Sequence, residues 1–427
     1  MLIGFHDLVY LMNEGIRSIA KQCSQTGASV NVYNLLKLCP YVESFLDKSW
    51  VDSKLKEYEE WASSNSDPVL QSKFLHRPTK FNMLAASIWA ARYWEDIRQK
   101  EDPSFEPPAG AKRLVNIACS LAVLEYNAGR FLNTETREHL QRRLQNADEV
   151  WAVIHELNTF AYFIRTNAKV TPHFLKKASS KEITVQWHGV NIPVQCKAKR
   201  PGSGRAISQE LFTELACYIA LDVRRKGKKL KVTIGSTGEI REEDIVFLRH
   251  QVSTDTGSEL GPALVTNNTR TFTIKSQPLK EQFTAETIHQ HISKFDFHIV
   301  MIIGEPAESG NAYDEVAVVI LEANLDETPW RSLRNSIKDG ATQLEGGPIG
   351  LVALHYTDPI KDFESLRPGF GPIKAYIGKL LDKYPSTGAV MLTSEPDLQF
   401  PSASGIAKPR IYYKKPWPFP DDFLKEN

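Results

Sequence analysis

The chain reads as a multi-domain α/β protein, with a helical N-terminal region followed by two stretches in which strands and helices alternate. Three observations carry that reading. Residues 1–145 place apolar side chains at three-to-four spacing. The stretch Glu182–Lys199 alternates apolar and polar residues at period two around a His188-Gly189 turn. From Phe297 onward, short β-branched runs such as FHIVMII and VAVVILEAN alternate with amphipathic segments. A length of 427 residues accommodates two or three domains. The predicted division is a helical region over 1–145, a mixed-sheet core over 146–250 and a C-terminal α/β region over 271–427, the last two separated by the polar STDTGSELGPALVTNNTRT.

In the first region the helical segments are FHDLVYLMNEGIRSIAKQC, SVNVYNLLKLCPYVESFLDKSWVDSKLKEYEEWA, FNMLAASIWAARYWEDIRQK, AKRLVNIACSLAVLEYNAGRFL and TETREHLQRRLQ, divided by breakers such as SSNSDP and EDPSFEPPAG. Thr134 is the expected cap of the last of these. None carries a chemical motif, so the region is expected to pack, to self-associate or to dock a protein partner, with the aromatic ASIWAARYWEDI as core. No apolar run reaches transmembrane length, and acids interrupt the apolar opening, so no membrane partner is expected. The five cysteines form no CxxC or Cys/His spacing, which argues against a disulfide framework or a zinc site and makes the cytoplasm the default location. A formal net charge of +1 means that any affinity for nucleic acid must come from local patches.

The helix VWAVIHELNTFAYFI opens the second region, with Val153, Ile154, Leu157, Phe160, Ala161 and Ile164 as its buried stripe. Glu156 lies beside that stripe, where a solvated flank acid is the ordinary reading. His155 lacks the second histidine of HExxH, Thr159 standing in its place, and is read as incidental. The hairpin follows. A two-residue turn at His188-Gly189 sets Trp187 opposite Val190, Val185 opposite Ile192 and Ile183 opposite Val194, so apolar meets apolar at every rung. The same register brings Glu182 opposite Gln195, and the period of two puts Lys197 on that face as well.

An acid, twelve residues and then Gln195-Cys196-Lys197 resembles the PD-(D/E)XK nuclease superfamily. There, acidic or Gln residues on adjacent strands hold a divalent metal while a lysine two residues on assists the attacking water. The family also carries a glutamate on a preceding helix, where Glu156 stands, and a helix and strand after the motif, roles that SQELFTELACYIALDVRRKG and KLKVTIGS fill in sequence order. The resemblance covers residues 146–236 and implies a restriction-endonuclease-like core. It implies that Glu182, Gln195, Glu156 and the backbone carbonyl of Cys196 hold Mg²⁺ or Mn²⁺, and that Lys197 acts on the water. The chain departs from the family in having Glu182 where aspartate is usual and Gln195 where glutamate is common, which removes one negative charge. The implied activity is hydrolysis of DNA or RNA, in a setting such as restriction, repair or antiviral defence. The rival reading is a nuclease fold without catalysis that binds nucleic acid or scaffolds a partner.

After the hairpin, Lys197, Lys199, Arg200 and Arg205 surround a Pro-Gly-Ser-Gly loop, and Arg224, Arg225, Lys226, Lys228, Lys229 and Lys231 follow, ten cations against three acids between 197 and 232. That local excess of seven suits a phosphate backbone, although the second cluster also fits a helix C-terminus. Further on, Pro329 is the expected first residue of a helix ending at Gly346-Gly347, and Glu322-Ala323-Asn324 echoes the motif as a degenerate repeat. Alternatively, the later strands extend the first sheet. The tail KPRIYYKKPWPFPDDFLKEN is expected to lie extended on the surface or to engage a partner.

Overall fold

The computed structural model describes residues 14–25, 29–64, 82–100, 109–175, 182–198, 215–216, 218–219, 222–223, 226, 229–237, 242–255, 263–267, 270–278, 297–306, 313–323, 329–355, 373–393, 402–403 and 409–413. The chain is α/β and divides into two compact units, one made of 1–200 with 333–427 and the other of 201–332. No described helix is long and apolar enough to cross a membrane.

The first unit begins with helices α1 (Glu14–Cys23), α2 (Val32–Leu36), α3 (Cys39–Phe45), α4 (Lys48–Ser64), α5 (Met83–Lys100), α6 (Ala109–Ala128) and α7 (Thr134–Gln145). A two-residue strand, β1 (Val30–Asn31), interrupts the helical run and pairs with β12 (Ser402–Ala403). The cap of α7 is Asn133, whose side chain accepts from Thr136 N, and not Thr134, which is the first helical residue. Asn82 joins two helices: its Oδ1 accepts from Leu84 N at 2.9 Å to start α5, and its Nδ2 donates to Gln145 O at 3.0 Å to close α7.

Helix α8 (Val150–Arg165) is buried at thirteen of its sixteen residues, so it has no solvated flank. A helix apolar on most of its circumference needs neighbours all round, and α8 finds them in α5, α6 and α7 and in the sheet beside it. The chain then forms the antiparallel meander β2 (Lys169–Pro172), β3 (Ile183–Trp187) and β4 (Val190–Ala198). The hairpin register is the expected one, Trp187 against Val190 through Ile183 against Val194. His188 (φ 46°) and Gly189 (φ 84°) are both left-handed, the geometry of a type I′ turn. Ile183, Val185, Ile192 and Val194 are fully buried and pack with α8 in one core. Each such side chain contributes about 1.5–3 kcal/mol by leaving water.

After Arg200 the chain leaves this unit, and here the fold differs from the expectation. KLKVTIGS forms β5 (Leu230–Ser236) in a separate sheet. That second unit contains β5, α9 (Glu242–Asp255), β6 (Ala263–Asn267), β7 (Arg270–Pro278), β8 (Phe297–Pro306) and β9 (Tyr313–Ala323), with sheet order β6-β7-β5-β9-β8. Strand β5 runs antiparallel to β7 and parallel to β9, and Val232, Ile234, Phe272, Ile274, Val319 and Leu321 share a core with Ile245, Leu248 and Val252 of α9. The partners of β5 therefore come from downstream chain. A core over 146–250 would have needed β5 beside β4, and alternation of apolar residues does not say which strand a strand joins.

Helix α10 (Pro329–Leu344), which starts at Pro329 as expected, leads back. Strand β10 (Gly350–His355) runs parallel to β4, pairing Leu351 with Val194 and Leu354 with Lys197. Helix α11 (Ile373–Lys383) and β11 (Thr387–Thr393) follow, β11 parallel to β10, and β13 (Arg410–Tyr413) closes the edge antiparallel to β11. The first sheet thus has the order β13-β11-β10-β4-β3-β2. Every residue of β10 and β11 is buried, as their continuous apolar runs require of central parallel strands. Three later expectations are settled by this topology. Strands β10, β11 and β13 extend the first sheet; the 271–427 region is split between the units; and Glu322-Ala323-Asn324 does not begin a second copy of the motif, because β9 and β10 lie in different sheets. Within the tail, Arg410–Tyr413 is an edge strand.

Candidate active site

Strand β4 is covered on both faces. Val194 and Cys196 point to the core shared with α8. Gln195 and Lys197 alternate to the other face, where α10 lies. A side chain at Gly340 of α10 would come within 2.7 Å of Val352 Cγ1 and 3.5 Å of Lys197 Cγ, so glycine is what lets the helix settle on this end of the sheet. Gln195 is 2 % exposed, and Lys197 is partly exposed near the strand's C-terminal end.

Glu182 stands one residue before the ladder begins. Its carbonyl accepts from His173 N at 2.8 Å and Phe174 N at 2.9 Å, and its Oε2 lies 3.4 Å from the donating Cys196 N. The acid is therefore held at the hairpin mouth by the turn before β3, beside the Gln195-Cys196-Lys197 segment, without forming the extra rung that would face Gln195 directly. Burial raises its carboxyl above the usual carboxylate range, and Lys197 pulls it back.

Glu156 is 5 % exposed, and it comes from α8 on the opposite face of the sheet from Gln195 and Lys197. Arg143, from α7, grips it with both arms: Nη1 donates to Oε2 at 2.9 Å and Nη2 to Oε1 at 3.1 Å. The same guanidinium donates from Nε to Glu149 Oε2 at 2.9 Å and from Nη1 to Phe174 O at 3.2 Å. Burial pushes the Glu156 carboxyl up to about 7 against the pull of Arg143, and the negative charge of Glu182 adds to the rise. Burial, followed by the carboxylates of Glu182 and Glu156, pushes the Cys196 thiol well above its usual range, so the sulfur stays protonated and only the main-chain carbonyl of Cys196 is available as an oxygen donor.

The donors at the hairpin mouth are oxygens: the carboxylates of Glu182 and Glu156 and the Cys196 carbonyl. That chemistry suits Mg²⁺ or Mn²⁺ and not a thiolate-seeking metal. A buried carboxylate whose proton affinity is raised by burial and by the charge of Glu182 also marks a place where added positive charge is stabilising. The set is sparse, since no group of three His, Cys, Asp or Glu side chains able to hold a metal occurs among the described residues. Gln195 does not complete it, because its side chain lies on the opposite face of the sheet from Glu156.

Two buried histidines lie beyond the site at the C-terminal ends of the strands. His155 Nε2 is 2.9 Å from Ala353 O and His355 Nδ1 is 3.2 Å from Thr393 Oγ1, with 5.7 Å between the ring centroids. Burial lowers His155 to about 3, with His355 as the next cause, and lowers His355 to about 4, with Arg113 as the next cause. His155 is therefore a structural group tying α8 to β10. Lys199, Arg200, Arg205, Arg224 and Arg225, the expected phosphate contacts, lie outside the described residues. Arg143 was missed in the sequence because it sits in the polar run QRRLQ and its partners are 13 and 31 residues away. No protein-family model, curated protein or solved structure matches this chain.

Proposed function

We propose that the protein is a metal-dependent nuclease hydrolysing phosphodiester bonds of DNA or RNA. The observation that carries this reading is the position of Glu182, whose carboxylate reaches the backbone of the Gln195-Cys196-Lys197 strand and is electrostatically linked both to Lys197 and to Glu156. The element order supports it in part. The helix and strand expected from SQELFTELACYIALDVRRKG and KLKVTIGS do not follow in this sheet, since KLKVTIGS lies in the other one; a strand parallel to the motif strand is supplied instead by β10, reached through α10.

Glu182, Glu156 and the Cys196 carbonyl would hold Mg²⁺ or Mn²⁺, which when bound supplies Lewis-acid activation of water and neutralisation of phosphate charge, while Gln195, on the other face of the strand from Glu156, stands outside that set. Lys197 would orient the attacking water by donating to it from Nζ. Lys199, Arg200 and Arg205 hold the phosphate backbone without reading bases. Partner docking or self-association falls to the helical region.

The test is degradation of plasmid DNA and of RNA by the full chain across Mg²⁺ and Mn²⁺ concentrations, with a chelator control. Wild type should cleave one of them, and Lys197→Ala should lose at least a hundredfold in rate while binding in Ca²⁺ is unchanged, since the lysine acts mainly in the transition state. Equal rates for the two proteins would overturn the reading. The Arg143 grip on Glu156 favours a second one, a fold that binds nucleic acid without cutting it. Binding without cleavage by either protein would select that alternative.

A further inference from the structure

We propose that Arg143 is the resident counter-ion of this site, and that a divalent cation takes Glu156 only in exchange for the arginine fork; the inference rests on the metal-dependent reading above. Arg143 donates four hydrogen bonds from a side chain only 16 % exposed. Two of them occupy both oxygens of Glu156. A third, to Phe174 O, reaches the other acid through the main chain, because Phe174 N donates to Glu182 O at 2.9 Å. One guanidinium therefore fixes the Glu156 carboxylate and, through Phe174, the main chain at Glu182.

The consequence follows from charge. Glu149, Glu156 and Glu182 are three formal negative charges against the two positive ones of Arg143 and Lys197, but both oxygens of Glu156 are already neutralised by the Arg143 fork before any metal arrives. A bidentate arginine–carboxylate pair is among the stronger charge-assisted contacts. It leaves Glu156 poorly placed to ligate a hard cation that demands dehydrated, charged oxygens. Removing the guanidinium alone would strand a buried carboxylate, a costly state that an incoming cation relieves. Arg143 thus acts as a positioning residue that sets metal affinity. It keeps the acids ordered when no ion is bound and competes with the ion when one arrives.

The experiment uses the full chain with Mn²⁺ alone as probe, free Mn²⁺ being read by electron paramagnetic resonance and stability by thermal unfolding. Wild type, Arg143→Gln, Arg143→Lys and the double variant Arg143→Gln with Glu156→Gln are compared. In chelator, Arg143→Gln should unfold roughly 5–10 °C below wild type, and Mn²⁺ should restore most of that loss. Its Kd for Mn²⁺ should be at least tenfold lower than that of wild type, whereas Arg143→Lys, which keeps the charge, should stay near wild type. The double variant should regain stability in chelator and lose the tenfold gain. Equal Mn²⁺ affinity in wild type and Arg143→Gln would overturn the counter-ion role and leave the metal reading intact. No Mn²⁺ binding by any of the four would overturn the metal reading and this inference together. If Arg143→Gln cannot be purified, the wild type suffices. Titration with Mg²⁺ should shift one arginine Nε resonance that is missing from Arg143→Lys, and metal binding that leaves every arginine resonance in place would refute the exchange.

Discussion

His355 should make the protein acid-labile in a way that one substitution reveals. The side chain is 4 % exposed, its Nδ1 engages the Thr393 hydroxyl, and its ring stacks 6.4 Å from Trp151. Burial, with Arg113 as second cause, lowers its pKa from 6.5 to about 4. A histidine with a depressed folded pKa contributes stability that is present above the unfolded value and lost as pH falls, so the loss should accumulate from about pH 6.5 down to about pH 4. At about 1.4 kcal/mol per unit, that drop is worth about 3 kcal/mol. Glu156 works the other way: its raised pKa favours the folded state below 4.5 and loses that benefit as pH climbs through about 7. Wild type alone therefore reports a difference of opposing slopes, and the informative comparison is with His355→Asn, which keeps an acceptor for Thr393 but cannot take up a proton. Urea unfolding followed by tryptophan fluorescence at pH 8, 6.5, 5 and 4 would measure it. The gap between the variant and wild type should shift by about 3 kcal/mol in the variant's favour between pH 8 and pH 4. Parallel stability curves over that range would refute the assignment of His355 as a buried neutral imidazole.

Two further predictions concern the hairpin and its cover. Gly189→Val forces a β-branched residue into φ +84° and should cost about 1–2 kcal/mol in unfolding free energy, while Gly129→Ala, at a glycine outside the left-handed region with open space around it, should cost less; equal midpoints for the two would count against the type I′ turn. Gly340→Leu drives a side chain into Val352, whose Cγ1 lies 2.7 Å from the would-be Cβ, and should cost about 1–3 kcal/mol in unfolding free energy by overpacking; a variant as stable as wild type in urea unfolding would show that α10 does not sit against β10 and β4.

The hairpin was legible because everything that fixes it is local. Two left-handed residues in a two-residue turn and matched apolar rungs leave a single register, and the structure has that register down to Ile183. The last rung was not legible, because the Glu182 carbonyl serves His173 and Phe174, a contact that no strand pattern encodes. Helix α8 shows a similar limit. Its apolar stripe was read correctly, but the polar flank is buried as well, because Ser120 Oγ donates to Asn158 Oδ1 at 2.7 Å and Arg143 covers Glu156, and both partners come from other helices. His155 looked incidental within its own helix; its neighbour His355 arrives 200 residues later on β10. What periodicity could not give was sheet membership. Strands β5 and β10 both read as apolar, yet only β10 joins β4, since the choice depends on which edge the returning chain can reach.

That return has a cost in time. Strand β4 presents an unpaired edge from the moment Ala198 is made until β10 arrives roughly 150 residues later. At about 5–20 residues per second, the ribosome leaves that edge open for roughly ten to thirty seconds. The five strands of the second unit are translated inside that interval and can satisfy one another, so the second unit can close while the first still waits. An open β4 edge flanked by newly made strands invites mispairing with another nascent chain. Expression at low temperature, which slows both synthesis and folding, should leave the ratio of these times nearly unchanged. Synonymous changes that speed translation of 201–349 alone should raise the soluble yield.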